Sequence, residues 1–267
     1  MNRHTARLAI VALAMVVLIA VSCAHGHSRA GATSTAPTTT APSTTAPTVP
    51  TVPSTTAPTA ALPPGPGCST PAGTVPTGVT ASQIPDVDGD GRPDQAYFAP
   101  TTGETRQLVI VTSAGGRSEA AITSASPSAA SAFVANLDRK GPVEILISDN
   151  RQAYLFAYVD CSVAIVRNAQ NRQYSFDLGF RGIGTGVGCA PSATGRDLVG
   201  LNVRSQTANA VRWTRTVIRL SGTAARAGPT TSGTFTQPQD ASAISLLSTI
   251  SCGDQTISAK GIHQPEG

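Results

Sequence analysis

The sequence predicts an all-β domain built from about three blade-like units, and three observations predict it. Short runs of β-branched and aliphatic residues alternate with Gly, Ser, Asn and Asp clusters. No long stretch carries a helical period. An acidic loop leading into strand-like residues recurs at a spacing of about 50 residues, the mark of a repeat architecture. From Cys68 onward about 200 residues are available, enough for one domain with a sizeable core.

The chain divides into residues 1–22, 23–67 and 68–267. The first part opens with the basic Met1-Asn2-Arg3-His4-Thr5-Ala6-Arg7. The apolar run from Leu8 to Val21 that follows is about 14 residues long. That length suits a signal peptide and falls short of the roughly 20 residues that span a bilayer. The run ends Ile19-Ala20-Val21-Ser22-Cys23. A small residue directly before Cys resembles the lipobox of bacterial lipoproteins, which implies cleavage before Cys23 and diacylglycerol on its thiol. The expected address is the outer face of the cytoplasmic membrane, held by the lipid anchor.

Residues 24–67 are nearly all Ala, Thr, Ser, Pro and Gly, with Thr-Ala-Pro recurring. They offer no apolar face to offset the entropy of ordering, so a disordered tether is expected. No Asp or Glu precedes Asp86, and much of the net charge of +4 sits in the leader. The basic balance is therefore no sign of a nucleic acid partner, and the domain shows no basic stripe with stacking aromatics.

The domain is organised around Asp86-Val87-Asp88-Gly89-Asp90-Gly91-Arg92-Pro93-Asp94. Calcium takes six to eight oxygens from a flexible loop, and Asp86, Asp88, Asp90 and Asp94 supply carboxylates between turn-forming glycines. Tyr97 stands where an EF-hand needs Glu, and Gln95-Ala96-Tyr97-Phe98 is strand-like. Asp-x-Asp-x-Asp-Gly-x-x-Asp before a strand resembles the calcium loops of FG-GAP and VCBS repeats, the units of integrin-type β-propellers. The resemblance implies one Ca2+ site and a role in extracellular interactions.

Asn136-Leu137-Asp138-Arg139-Lys140-Gly141-Pro142-Val143-Glu144 repeats the pattern. Asp138, Gly141 and Glu144 stand where Asp88, Gly91 and Asp94 stood, and Lys140 replaces Asp90. An ammonium there substitutes for an ion, so the second loop is expected to be metal-free. A third echo runs from Cys189 to Leu201. It keeps Gly195, Arg196 and Asp197 but is one residue shorter and lacks the upstream acids. Four strand-sized pieces per unit suggest a β-propeller-like arrangement, although an ordinary propeller has at least four blades. A β-sandwich is the alternative.

Expected strands are Arg106–Thr112, Ala132–Ala135, Val143–Ser148, Ala153–Val159, Val163–Arg167, Asp197–Val203, Ala210–Leu220 and Thr234–Thr236. Ala241–Ile250 suits a helix capped by Asp240 or a buried strand. Gly182-Ile183-Gly184-Thr185-Gly186-Val187-Gly188 lacks the register of a nucleotide loop. It reads equally as a strand with one bare face or as a flexible loop.

With Cys23 assigned to lipid, Cys68, Cys161, Cys189 and Cys252 make two disulfides in an exported domain. Three pairings exist, and Cys68–Cys252 with Cys161–Cys189 is favoured because it ties the domain ends together. The histidines are His4, His25, His27 and His263, which leaves the domain interior without a base for Ser or Cys chemistry. A hydrolase using a pair among Asp149, Asp160, Asp177 and Asp197 is the alternative class, and a structural lipoprotein with a vestigial acidic loop is a third. Trp213 and Arg215 share a face of one long strand and form a candidate ligand surface, because Arg stacks on indole. The expected protein is thus no enzyme. It is a lipid-anchored, calcium-stabilised binding or structural module meeting a cell-wall or extracellular ligand.

Overall fold

Each apolar run pairs with the next along the chain, so the fold is a series of antiparallel meanders. The computed structural model describes residues 65–179, 185–193 and 195–265. The leader, Cys23, most of the tether, and Gly182 and Gly184 lie outside the described residues. Strands β1 (Ser82–Ile84), β2 (Asp94–Phe98), β3 (Thr105–Val111) and β4 (Arg117–Thr123) form the first sheet in chain order. Strands β5 (Ser131–Ala135), β6 (Glu144–Ser148), β7 (Gln152–Val159) and β8 (Ser162–Ile165) form the second, with β9 (Ser175–Asp177) also paired to β7. Strands β10 (Thr185–Ser192), β11 (Gly195–Gln206), β12 (Ala210–Ser221) and β13 (Ala224–Thr236) form the third. Helix α1 (Ala241–Leu246), strands β14 (Ser251–Cys252) and β15 (Gln255–Thr256), and helix α2 (Ile257–Lys260) follow. Strand β16 (Ile262–His263) then returns to pair with β5.

The all-β expectation holds, in two four-stranded sheets, a six-stranded middle sheet that includes β16 and β9, and the small β14–β15 pair, of which none closes on itself. Their stacking follows from side-chain alternation, since successive residues of a strand face opposite sides. Ala132, Val134, Ile145 and Ile147 of the second sheet pack against Phe98, Leu108 and Ile110 of the first. Their neighbours Phe133, Ala135 and Leu146 pack against Leu198, Ile218 and Val187 of the third. The second sheet is therefore the middle layer, and β5 and β6 are buried at every residue. A strand buried on both faces reads as a continuous apolar run, which is how Val143–Ser148 stood out.

Strand β4 is not among the expected strands, and three further elements differ from expectation. Strand β13 runs over thirteen residues rather than three. Its Ala, Gly and Pro carry little strand propensity, and it is ordered by pairing along β12 from Ser221↔Ala224 to Ala210↔Thr236. The third echo is a tight hairpin, because pairing of β10 with β11 continues to Ser192↔Gly195 and leaves no room for a long loop. The segment Ala241–Ile250 is helical only to Leu246, and Ile250 then bridges to Val187. Asp240 makes no side-chain cap. Its Oδ2 instead accepts the Thr236 N–H at 2.7 Å. Of the glycine run, Gly186 and Gly188 lie within β10. A Cβ on Gly186 would stand 2.6 Å from the Thr249 carbonyl oxygen, so the bare face admits the neighbouring backbone.

The favoured cysteine pairing is corrected: the bonds are Cys68–Cys161 and Cys189–Cys252. The middle sheet explains this. Cys68 and Cys161 belong to the apolar layer between the first and second sheets, and Cys189 and Cys252 to the layer between the second and third. Each disulfide staples one interlayer, and Cys68 and Cys252 lie on opposite sides of the middle sheet.

Candidate metal centre

Ile84 and Asp94 are cross-strand partners, so residues 85–93 form the hairpin loop between β1 and β2. The loop turns through positive φ at Gly89 (77°) and Gly91 (83°), where a side chain is disfavoured. These turns gather the carboxylates. Asp86, Asp88 and Asp94 each offer an oxygen within 4.8 Å of the others. Calcium–oxygen distances of about 2.3–2.6 Å put opposite ligands roughly 4.6–5.2 Å apart, so the triad fits one calcium shell.

The protein backbone holds each carboxylate in place. Asp86 Oδ1 accepts the Gly89 N–H at 2.7 Å, and its Oδ2 accepts that of Gly91 at 2.8 Å. Asp88 Oδ2 accepts the Cys68 N–H at 2.7 Å. Asp94 is buried, its two oxygens accepting the N–H groups of Val87 and Ser113, both at 2.7 Å. An ionised carboxylate has about four acceptor sites, so these bonds leave lone pairs for a cation. Burial pushes the Asp94 pKa up against those two hydrogen bonds, and the charges of Asp88 and Asp86 push the same way. A cation bound among the three relieves that repulsion. Burial also raises the Tyr158 phenol to about 12, with the charges of Asp88 and Asp94 adding to it.

The structure places Asp90 apart from the triad. Its Oδ2 accepts the Ser113 hydroxyl and the Arg92 guanidinium, the latter at 3.2 Å, and its Oδ1 accepts the Arg92 N–H at 2.8 Å. The Ser113 hydroxyl is the main cause holding the Asp90 carboxyl below its usual range. Sequence reading missed Ser113 and Cys68 as supports. Both come from segments remote along the chain, and neither carries a motif.

The second loop copies the scaffold of the first. Ala135 pairs with Glu144 across β5 and β6. The Leu137 N–H donates to Glu144 Oε2 at 2.6 Å, as Val87 does to Asp94. The Lys140 N–H donates to Asp138 Oδ1 at 2.7 Å, as Asp90 does to Asp88 at 3.3 Å. Arg139 and Gly141 take positive φ, 58° and 69°, where Gly89 and Gly91 do in the first loop.

The charges differ. Lys140 leaves the loop, and its Nζ pairs with Asp197 of β11 at 2.9 Å. Arg196 enters from the same strand. Its Nε donates to the Leu137 carbonyl at 2.7 Å and its Nη2 to the Asn136 carbonyl. Burial lowers the Arg196 pKa and Arg139 adds to this, while Glu144 and Asp138 oppose it. Glu144 is fully buried with its Oε1 unpartnered. Burial is the main cause raising its pKa to about 8, and the adjacent Asp138 carboxylate adds to it. Burial thus favours the neutral carboxyl over the carboxylate at Glu144.

Asp149 and Asp177 are held by hydrogen bonds of their own. Asp149 is buried and accepts the Ser124 hydroxyl at 2.7 Å and the N–H groups of Arg151 and Gln152. Burial alone would raise its pKa, but these bonds outweigh it and hold the carboxyl low. Asp177 accepts the Gly179 N–H. His263 is exposed on β16. Trp213 and Arg215 line a cavity on the outward face of the third sheet. Comparison with protein-family models, with curated proteins and with solved structures finds no match to this chain.

Proposed function

We propose that the protein is an exported lipoprotein, anchored through Cys23 on the outer face of the cytoplasmic membrane. Its β domain is an FG-GAP/VCBS-like module that takes one calcium ion in the first loop and serves the cell envelope as a binding or structural element. The contrast between the two loops carries this reading. They share a scaffold, yet the second draws positive charge from Arg196, whereas the first sets Asp86, Asp88 and Asp94 together with no cationic side chain hydrogen-bonded among them. Four acids and one arginine give residues 86–94 a formal charge of 1 − 4 = −3. Like charges this close call for a counter-ion.

Calorimetric titration of the protein with calcium tests this. One bound ion and a rise in melting temperature, both absent from Asp86→Ala/Asp88→Ala, is the expected result. No binding at millimolar calcium overturns the metal assignment. The address is tested separately: Cys23→Ala releases the protein to the medium, and unchanged membrane retention overturns the anchor.

A further inference from the structure

The outward face of the third sheet carries an apolar patch built by strands other than those that hold the acidic loop. Cross-strand pairing aligns Leu201 with Arg215, and Val203 with Trp213 and Gly233. These residues share one face, with Val211 and Phe235 alongside them. Trp213 stacks on Phe235 with centroids 5.3 Å apart and planes 29° from parallel. Its ring lies over Gly233, where a Cβ would stand 2.6 Å from the indole Cζ2. Helix α1 covers part of this face through Ile244, and Leu247 just beyond its end adds to the cover.

The cover is incomplete. A cavity of about 270 Å³ remains between the sheet and α1, lined by Val199, Leu201, Trp213, Phe235, Leu246 and Arg215 among others. Its chemistry is one-sided. Aromatic and aliphatic groups form most of the walls, and among the described residues the only charged lining residue is Arg215. No carboxylate lines the cavity, and no ion pair of Arg215 is found among the described residues. The Trp213 Nε1 is a second donor, buried without an acceptor. Buried donors are normally satisfied, and a guanidinium recognises carboxylate through paired N–H groups. Apolar walls with a few convergent polar groups are the makeup of a small-molecule site.

We propose that this cavity binds a small amphipathic carboxylate, its apolar body against Trp213, Phe235 and Leu201 and its head on Arg215. The volume lies just below the roughly 300 Å³ at which pockets for drug-sized ligands begin, so the body is about the size of one ring or a short acyl chain.

Trp213 is the only tryptophan in the chain, so its fluorescence reports this site alone. The probe is 3-phenylpropanoate, titrated into the full protein, with 3-phenylpropanol as its uncharged counterpart. A saturable change in emission is expected, with affinity at least tenfold weaker for the alcohol and at least tenfold weaker for the carboxylate in Arg215→Gln. Ala243→Phe, which fills the α1 side of the cavity, abolishes the response while its melting temperature shows it folded. If Ala243→Phe does not fold, displacement of 1-anilinonaphthalene-8-sulfonate from the wild-type protein by the same two compounds gives the comparison. No saturable response up to about 10 mM overturns the site. Equal affinity for acid and alcohol, or an unchanged response in Arg215→Gln, overturns the carboxylate assignment.

Discussion

Arg196 of the third sheet donates through Nε to the carbonyl of Leu137, in the loop of the second, at 2.7 Å. This bond joins two layers and gives the second acidic loop a cation that belongs to the chain. Arg196→Met leaves the Leu137 and Asn136 carbonyls short of a donor and removes a charge that faces Asp138. The expected loss is about 2 kcal/mol of unfolding free energy, as for a charged hydrogen-bonding partner taken from a partly buried pair. Urea denaturation measures it, and a variant as stable as the parent refutes the role.

Calcium affinity is expected to separate Asp88 from Asp90 in the first loop. Asp88 belongs to the triad, whereas Asp90 is engaged by Ser113 and Arg92. Asp88→Asn is expected to weaken calcium binding at least tenfold and Asp90→Asn less than about threefold, judged from the loss of a direct as against an indirect charged ligand. Isothermal calorimetry reads both. Equal losses would place Asp90 among the ligands.

Stability is expected to fall on the alkaline side through Glu144. Its pKa is raised from 4.5 to about 8 on folding, so the folded state holds the proton more tightly than the unfolded chain. The contribution is complete below the unfolded value and disappears as pH rises through about 8. A loss on the order of a few kcal/mol between pH 5 and 9 is expected of the parent protein. Glu144→Gln keeps an acceptor for the Leu137 N–H without the titration, so its pH profile is flatter. Denaturation across that range compares them, and parallel profiles would remove Glu144 as the cause.

Each disulfide is expected to matter alone. The linked residues lie 93 and 63 positions apart. Chain-entropy estimates for loops of that size come to about 4–5 kcal/mol each before any strain. Cys68→Ser/Cys161→Ser and Cys189→Ser/Cys252→Ser should each lower the melting temperature by roughly 10 °C or more, while one pair still closes in the other variant. Non-reducing peptide mapping checks the pairing, and a Cys68–Cys252 peptide would contradict it.

The meanders and the first loop were legible because local chemistry makes them. Asp and Gly spacing sets the turn, and apolar runs such as Ile145-Leu146-Ile147 mark a strand buried on both faces. Strand β13 was not legible, since Ala224–Thr236 is ordered by its neighbour rather than by propensity. The cysteine pairing depended on which side of the middle sheet each thiol falls, and spacing along the chain does not encode that. Arg196 and Asp197 were noticed as remnants of a third loop. Their service to the second loop, through Leu137 and Lys140, is a tertiary relation with no local signature.

Strand β16 lies far from its partner along the chain: the Ala130 N–H donates to Gln264 across 134 residues, beside the pairing of Ile262 and His263 with Ala132 and Ser131. Until that distant segment arrives, β5 leaves the backbone groups at Ser131 and Ala132 unpaired along the edge of the middle sheet. Such an edge is a template for pairing with other chains. A polypeptide emerging residue by residue from a ribosome therefore passes through a stage in which every strand but β16 has been made and the middle sheet still has an open edge. Among the described strands β16 is the last to be synthesised, so this edge stays uncovered longer than any other pairing made within the chain.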